Sequence, residues 1–277
     1  MSTGGYRGTA GQTREEFRRD ITSYDSRTPF SRALKRAIGL SRFLTHEPVM
    51  VLDLMSGPGK VGQIIEEYAA RCSKTVALYY NDKREFPLVT ATDLPERRLV
   101  GDVRELSAIV PPGLFFDLVV VRYGIKDLQQ CDQQVAFNQI ARVIKPGGKL
   151  IVADMVATAD TQMAVNHIHA AKQELAGRLR EIEGSCHIPT LAEWKTYAHS
   201  AGFDPRIVHH DISSVTTTDW KNQFGVSEEQ ATIFIEQLDR EIKYACRQWP
   251  DFKRVFRVDF DNHAKLEFPI MVMAAVT

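Results

Sequence analysis

Long hydrophobic runs, clustered cysteines and an excess of either charge are all missing from this 277-residue chain. No run approaches the roughly 20 apolar residues that a bilayer-spanning helix needs, so a membrane protein is not expected. The four cysteines, Cys72, Cys131, Cys186 and Cys246, lie far apart without a C-x-x-C pair. That spacing argues against a zinc site and against a disulfide framework, and no metal is expected. Lys and Arg total 35, Asp and Glu total 35, and the isoelectric point is near 7.1. Without a basic stripe the chain lacks the electrostatic footprint of a nucleic-acid binder. Repeats and low-complexity tracts are missing too, and the polar, glycine-rich Met1 to Gly11 has no apolar stretch suited to a signal peptide. The expectation is a cytoplasmic protein with a small-molecule partner, with a homodimer left open.

What is present is an alternation of strand and helix patterns. Aliphatic runs mark strands at about Val49 to Leu54, Thr75 to Tyr80 (ending in Asn81-Asp82), Arg97 to Val100, Phe116 to Arg122 and Lys149 to Met155. Helical spacing fills the gaps between them, with Ile64, Ile65 and Tyr68 on one side of the first helix and Ala136, Ile140, Val143 and Ile144 on a later one. Such alternation indicates an α/β fold, a mostly parallel Rossmann-like sheet with helices on both faces.

The rhythm changes after Met155. Ala164, Ile168, Ala171, Leu175, Leu179 and Ile182 place a long helix where a short connection would suffice. Thr190-Leu191-Ala192-Glu193 is a capping box for a helix ending at Gly202, and Ser227 to Gln230 is a second, opening a helix with Ala231, Phe234, Leu238, Ile242 and Ala245 on one face. Strands are expected at Ile207 to Ile212 and at Phe268 to Val276. One elaborated domain is favoured over two: residues 1–45 as a helical lid broken near Pro29, and residues 46–277 as the main domain, with helical cap insertions at about 158–186 and 218–252.

The most informative segment is Val49 to Lys60, an apolar run that ends in Asp53 and breaks into Leu54-Met55-Ser56-Gly57-Pro58-Gly59. Two glycines after a buried parallel strand let the backbone turn sharply and approach a ligand that a Cβ would block. With Gly62 the spacing also fits G-x-G-x-x-G, so the glycines alone do not choose between nucleotide cofactors. The D-L-M-S-G-P-G string resembles motif I of the class I S-adenosylmethionine-dependent methyltransferases, usually D-x-G-x-G-x-G, with Met55 in place of the first glycine. F-F-D-L-V-V-V-R-Y-G-I-K-D-L and the later R-V-I-K-P-G-G-K-L-I-V-A-D-M look like motif IV and the post-motif of small-molecule members, particularly the quinone-biosynthesis C-methyltransferases. The likeness covers Val49 to Met155 and extends more loosely beyond.

That resemblance implies a seven-stranded sheet whose last strand, Phe268 to Val276, is inserted antiparallel between two others, with Pro269 at its very start. It implies S-adenosylmethionine as cofactor, with Met55, Ser56, Gly57 and Gly59 contributing turn backbone and Asp53 lying near the cofactor ammonium or the turn. Asp82, or Asn81 beside it, would accept the ribose hydroxyls, the alternative being a solvated turn acid. Asp102 would meet the adenine amino group and Val103 a ring nitrogen, though Asp102 reads equally as a helix N-cap. Arg122, Tyr123 and Gly124 would flank the sulfonium. Lys145-Pro146-Gly147-Gly148 is read as a structural turn before the fifth strand.

Methyl transfer to an O, N or C atom needs alignment more than a covalent catalyst, and a base only for some acceptors. His187, His167 and His169 are the candidate bases, the last two on the helix after the fifth strand, and Tyr123 is placed to orient substrate. The alternatives are an NAD(P)-dependent oxidoreductase and a non-catalytic cofactor-binding protein of the same fold.

Overall fold

The computed structural model describes residues 30–39, 48–175, 186–223, 228–261 and 263–277. Its strands are Val49–Leu54 (β1), Val76–Asp82 (β2), Arg98–Val100 (β3), Phe116–Arg122 (β4), Ile144–Met155 (β5), Asp204–Thr216 (β6) and Lys265–Val276 (β7). They form one sheet in the order β3-β2-β1-β4-β5-β7-β6. The first five are parallel, and β7 enters antiparallel between β5 and β6. The chain runs outward from β1 to β3 and then returns to β4 on the other side of β1. That reversal opens a crevice beyond the carboxyl ends of the strands, where open α/β sheets bind ligands.

Successive side chains of a strand point to opposite faces, and the core is divided accordingly. Val49, Val51, Leu118, Val120, Ile151 and Val272 face one layer, where the Phe30–Ile38 and Lys60–Arg71 helices bury Leu34, Ile38, Val61 and Ile65. Leu52, Leu54, Val119, Val121, Leu150 and Met273 face the other, against Phe137, Ile140 and Trp194 of the Gln130–Val143 and Leu191–Ser200 helices. Trp194 is fully enclosed and its indole N–H donates to the Met155 carbonyl. A third cluster sits past the strand ends, where Ile168, Leu238, Ile242, Phe252 and Phe256 pack on Met155, Leu266 and Phe268. Its helices are Gln162–Leu175, Thr217–Gln223, Glu228–Gln248 and Pro250–Val255. Among the described residues no helix is long and apolar enough to cross a membrane.

Several boundaries differ from the sequence expectation. Lys145 to Gly148 is a bulge inside β5: Phe116 opposes Ile144, the next pair is Leu118 with Lys149, and Gly147 takes φ +74. Pro269 lies within β7, opposite Ile212 of β6. It is tolerated there because the ladder to β5 ends at Ile270, and the Pro269 carbonyl accepts the Val156 N–H instead. β6 extends well beyond Ile207 to Ile212 because β7 continues alongside it to Lys265. The Thr190/Glu193 capping box is formed. The expected continuation of the long helix through Leu179 and Ile182, the Ser227 cap and most of the 1–45 segment lie outside the described residues.

Gly62 seats the Lys60–Arg71 helix directly on β2. A Cβ there would overlap the Tyr80 ring and lie 2.8 Å from Leu78 Cδ2. Gly62→Ala is expected to destabilise the fold by roughly 1–3 kcal/mol, the cost of overpacking a filled site. Chemical denaturation measures it, and an unchanged midpoint would show that the close approach is dispensable.

Candidate active site

At the end of β1, Met55, Gly57 and Gly59 all adopt left-handed conformations, with φ of +53°, +51° and +77°. They swing the chain from the strand into the Lys60–Arg71 helix. Neighbouring strand ends pin this turn. Ser56 N–H donates to the Asn81 carbonyl at 2.8 Å, Gly57 N–H to Asp82 Oδ2 at 3.1 Å, and Gly62 N–H to Asp53 Oδ2 at 2.9 Å. A Cβ at Gly57 would meet nothing within 4 Å, whereas one at Gly59 would lie 2.6 Å from Ala91 Cβ. Gly59 is therefore required by packing, and Gly57 borders open space into which the backbone faces.

Asp53 is buried, and its second oxygen, Oδ1, is enclosed without a hydrogen-bond partner. Burial raises its pKa well above the usual carboxylate range, against the Gly62 hydrogen bond and with the Asp82 charge adding to the rise. Of the two places open to Asp53, the structure puts it at the turn, as a clamp between strand and helix. Asp82 accepts Gly57 N–H on one oxygen and Arg84 N–H on the other; burial raises its pKa and those N–H groups oppose the rise. Asn81, pointing the opposite way along the alternating strand, donates to the carbonyls of Leu99 at 2.7 Å and Gly101 at 3.1 Å. Its amide fastens β3 to β2, so the Asn81 side chain points away from the turn and Asp82 is the acid beside it.

After β3, Asp102 caps the short turn Val103–Glu105 by accepting Arg104 N–H at 2.9 Å. The Arg104 guanidinium grips the same carboxylate at 3.0 and 2.8 Å, and Lys83 approaches to 3.5 Å. Although burial opposes it, the Arg104 side-chain and backbone bonds hold this carboxyl at about 2. Capping is thus realised, and Val103 sends its side chain into the core.

Beyond β4, Tyr123 also takes a left-handed φ of +54°, its N–H held by the Ala153 carbonyl. Since β1 pairs with β4, Tyr123 and Met55 follow neighbouring strand ends. Left-handed backbone costs a non-glycine residue on the order of 1–2 kcal/mol, and such strain gathers at functional sites. The Arg122 guanidinium lies 5.4 Å from the Tyr123 ring centroid and Lys126 Nζ 5.9 Å from it. Across the gap, a Cβ on Gly124 would be 2.8 Å from Met55 Sδ. The methionine that replaces the glycine of the motif is accommodated by that glycine.

Next to Tyr123 lies a polar cluster of which the sequence singles out His169 alone. Buried Lys126 reaches Asp127 Oδ1 at 2.7 Å, and buried His169 places Nε2 2.8 Å from the same oxygen. Asp154, wholly buried at the end of β5, accepts Met155 N–H at 2.8 Å and Lys126 N–H at 3.5 Å. Burial pushes Asp154 up to about 7 against the Lys126 charge. Burial, with the charges of Lys172 and Lys126, holds His169 down to about 3, so His169 is neutral and donates Nε2–H to Asp127. Asp127 is held low: burial opposes this, but the Lys126 ammonium and the His169 hydrogen bond outweigh it. Cys186 completes a set of O, N and S donors within 4.8 Å of one another. Its thiol is raised to about 11 by burial and the Asp127 charge. A protonated thiol beside two ammonium groups is poorly matched to a divalent cation.

The other candidate histidines fall elsewhere. His167, two residues from His169 and on another side of its helix, binds Glu241 at 2.9 Å and stacks near Tyr244 and Trp249. It lines outer grooves of 480 and 410 Å³ with Arg240 and Glu241, which include no strand-end residue. Helical periodicity turns His169 toward the sheet and His167 away from it, toward Glu241. His187 is braced by Glu193 at 3.1 Å and Gln162 at 3.3 Å, and its carbonyl accepts from Gln133 at 2.6 Å. Those bonds join the cap to the Leu191–Ser200 helix.

Residues 53–152 match the methyltransferase domain family. They are similar to a methyltransferase domain, and the sheet built around them has the class I, Rossmann-like methyltransferase fold. The ubiquinone/menaquinone biosynthesis C-methyltransferase UbiE of Hydrogenovibrio crunogenus is 31% identical over 110 residues, 38% of this chain and 41% of that protein. The chain thus spans about two fifths of the length of that curated relative. An uncharacterized methyltransferase of Schizosaccharomyces pombe is 21% identical over 273 residues, 94% of this chain and 83% of that one. The YcgJ protein of Bacillus subtilis superposes with a TM-score of 0.63 at 15% identity, covering 87% of this chain and 98% of its own, a likeness of fold.

The buried cluster has opposing acid responses. Unfolded, Asp154 would ionise near 3.8; folded, it stays protonated to about 7, so it removes stability as pH rises through that window. His169, neutral down to about 3 against 6.5 when unfolded, removes stability as pH falls through its own window. Asp154→Asn deletes the first response and leaves the second. Its thermal midpoint should therefore fall more steeply than that of the parent between about pH 6.5 and 4; parallel curves would mean that Asp154 is not held neutral.

Proposed function

We propose that the protein is an S-adenosylmethionine-dependent methyltransferase acting on an O, N or C atom of a small, partly apolar or aromatic metabolite. The observation that carries this reading is the Gly57 turn with Asp82 beneath it: a backbone cradle bordering open space, an acid at its edge, and Asp102 at the end of the next strand. The residues fit the cofactor. The Met55 to Gly59 turn would follow its methionine part, Asp82 its ribose, and Asp102 with the Val103 backbone its adenine.

S-adenosylmethionine supplies a methyl group on a sulfonium sulfur, a carbon already activated for in-line displacement. The protein has to align the acceptor and exclude water, which can lower the barrier by several kcal/mol or more. Tyr123, fixed by its backbone bond to Ala153 and flanked by Arg122 and Lys126, is the residue we place between cofactor and acceptor. Asp127 and neutral His169 are the polar groups on the acceptor side, and we assign them to orienting the acceptor. We assign the cap helices to covering the acceptor.

Isothermal titration with S-adenosylmethionine, S-adenosylhomocysteine and NAD(H) tests the reading. Binding of the first two and not the third is expected. Asp82→Ala should weaken cofactor affinity tenfold or more, about 1.4 kcal/mol, while circular dichroism keeps the folded signature. Gly57→Val, which fills the open side of the turn and strains a left-handed residue, should abolish binding. Undiminished affinity in both variants would reject the site.

A further inference from the structure

Arg104, two residues past Asp102, divides its guanidinium between two carboxylates. Nε and Nη2 donate to Asp102 Oδ1 and Oδ2 at 3.0 and 2.8 Å, a planar fork laid against a planar acceptor. Nη1 reaches Asp132 Oδ2 at 3.0 Å, in the first turn of the Gln130–Val143 helix. With the Arg104 N–H, which donates to Oδ1 at 2.9 Å, Asp102 receives three hydrogen bonds from one residue. Any rotation of the Asp102 side chain would break them together.

A carboxylate offers about four lone-pair sites, two on each oxygen. On Oδ1 both are taken by Arg104, and on Oδ2 Nη2 takes one. Only Lys83 contests the last, from 3.5 Å, and its side chain is 57% exposed against 27% for Arg104, so Lys83 is the looser partner. Asp102 also stands next to the acid beside the turn. β2 and β3 pair up to Asp82 and Val100, and Gly101 N–H donates to the Asp82 carbonyl at 3.0 Å. A nucleoside whose ribose lies on Asp82 therefore brings its base to Asp102. At position 6 adenine presents an amino donor, whereas a 6-oxo purine presents an acceptor.

We propose that Arg104 is a positioning residue for cofactor selection: by fixing the Asp102 carboxylate with one acceptor site left on Oδ2, it makes Asp102 accept a 6-amino purine and reject a 6-oxo one. The proposal rests on the S-adenosylmethionine reading above. A carboxylate free to turn could swing away from a carbonyl oxygen and pair with Lys83, and discrimination would be lost. Against the burial that raises it, the Arg104 bonds hold Asp102 at about 2, so it remains ionised and acts as an acceptor only. Arginine suits the task because its fork is planar and rigid, where lysine offers a point charge on a flexible stem.

The readout is the ratio of affinities, by isothermal titration, for S-adenosylhomocysteine and for S-inosylhomocysteine, its 6-oxo analogue. The unaltered protein should prefer the adenosyl compound about tenfold or more, because a charged acceptor facing a carbonyl is left without its partner. Arg104→Ala should bring the ratio down to about threefold or less. Arg104→Lys, which keeps the charge and loses the fork, should do the same and serves where the alanine variant fails to fold. Asp102→Asn, whose amide can donate to an oxo group, should abolish the preference. Asp132→Ala cuts the strut to the helix and leaves the fork, so the ratio should hold even where the denaturation midpoint falls. A purely structural role for Arg104 would weaken both ligands alike. A ratio unmoved in the Arg104 variants, one lowered equally by Asp132→Ala, or a preference retained in Asp102→Asn would each overturn the proposal. An unaltered protein that binds neither ligand would instead reject the methyltransferase reading, and this proposal with it.

Discussion

The site rests on a buried hydrogen bond from the Gly62 N–H to the Asp53 carboxyl, 2.9 Å long. It ties the last turn of a strand to the first turn of a helix, where a free N–H would otherwise be left without an intrahelical partner. With that anchor in place, the five residues between must turn back on themselves, and three of them do so in the left-handed region. The end of β2 supplies the other two fixings, through the Asn81 carbonyl and the Asp82 carboxylate. Removing water from the Asp53 carboxyl is costly, and its raised pKa expresses that cost. The return is a turn whose shape is set before any ligand arrives.

The strand ends divide into two chemical halves. On the β1 to β3 side the polar groups are carboxylates pinned by backbone N–H groups or by Arg104, arranged around an open turn. On the β4 to β5 side a buried ammonium and a neutral imidazole share one oxygen of the Asp127 carboxylate. Tyr123 stands between them in strained backbone, its ring flanked by two cations. Such a cluster is costly to bury, since removing one partner would strand a charge in low dielectric. That cost makes it a rigid wall.

Much of the fold could be read from period and punctuation. The aliphatic runs were enough for the parallel α/β architecture, and the likeness of Val49 to Met155 to known motifs implied the antiparallel β7 between two other strands. What was not legible depended on which face a residue takes once packed. Asn81 and Asp82 are adjacent in sequence, and the two-residue period of a strand assigns one to β3 and one to the turn, but only the observed sheet says which. His167 and His169 differ by two helical steps, so one is turned toward Asp127 and the other toward Glu241. Lys126 and Asp127 sat inside a recognised motif and drew no notice, because their meaning comes from residues 28 and 42 positions further on. The Lys145 to Gly148 bulge was hidden for a related reason: a turn signal within a strand looks the same as one before it.

Met55 shows how a departure from a motif can be absorbed. A glycine would take φ +53 without strain, whereas methionine takes it at a cost on the order of 1–2 kcal/mol. Its side chain then occupies the volume beside Gly124, where any Cβ would collide with it. The thioether therefore lies against the backbone at Gly124, just past Tyr123, so the left-handed turn after β1 packs on the turn after β4. Strain at one position is easier to keep when its neighbour fills the same gap, because relaxing either residue would open a void in a packed region. The contact joins the turn after β1 to the turn after β4 through Met55, so the two turns are packed as one unit at the carboxyl ends of neighbouring strands.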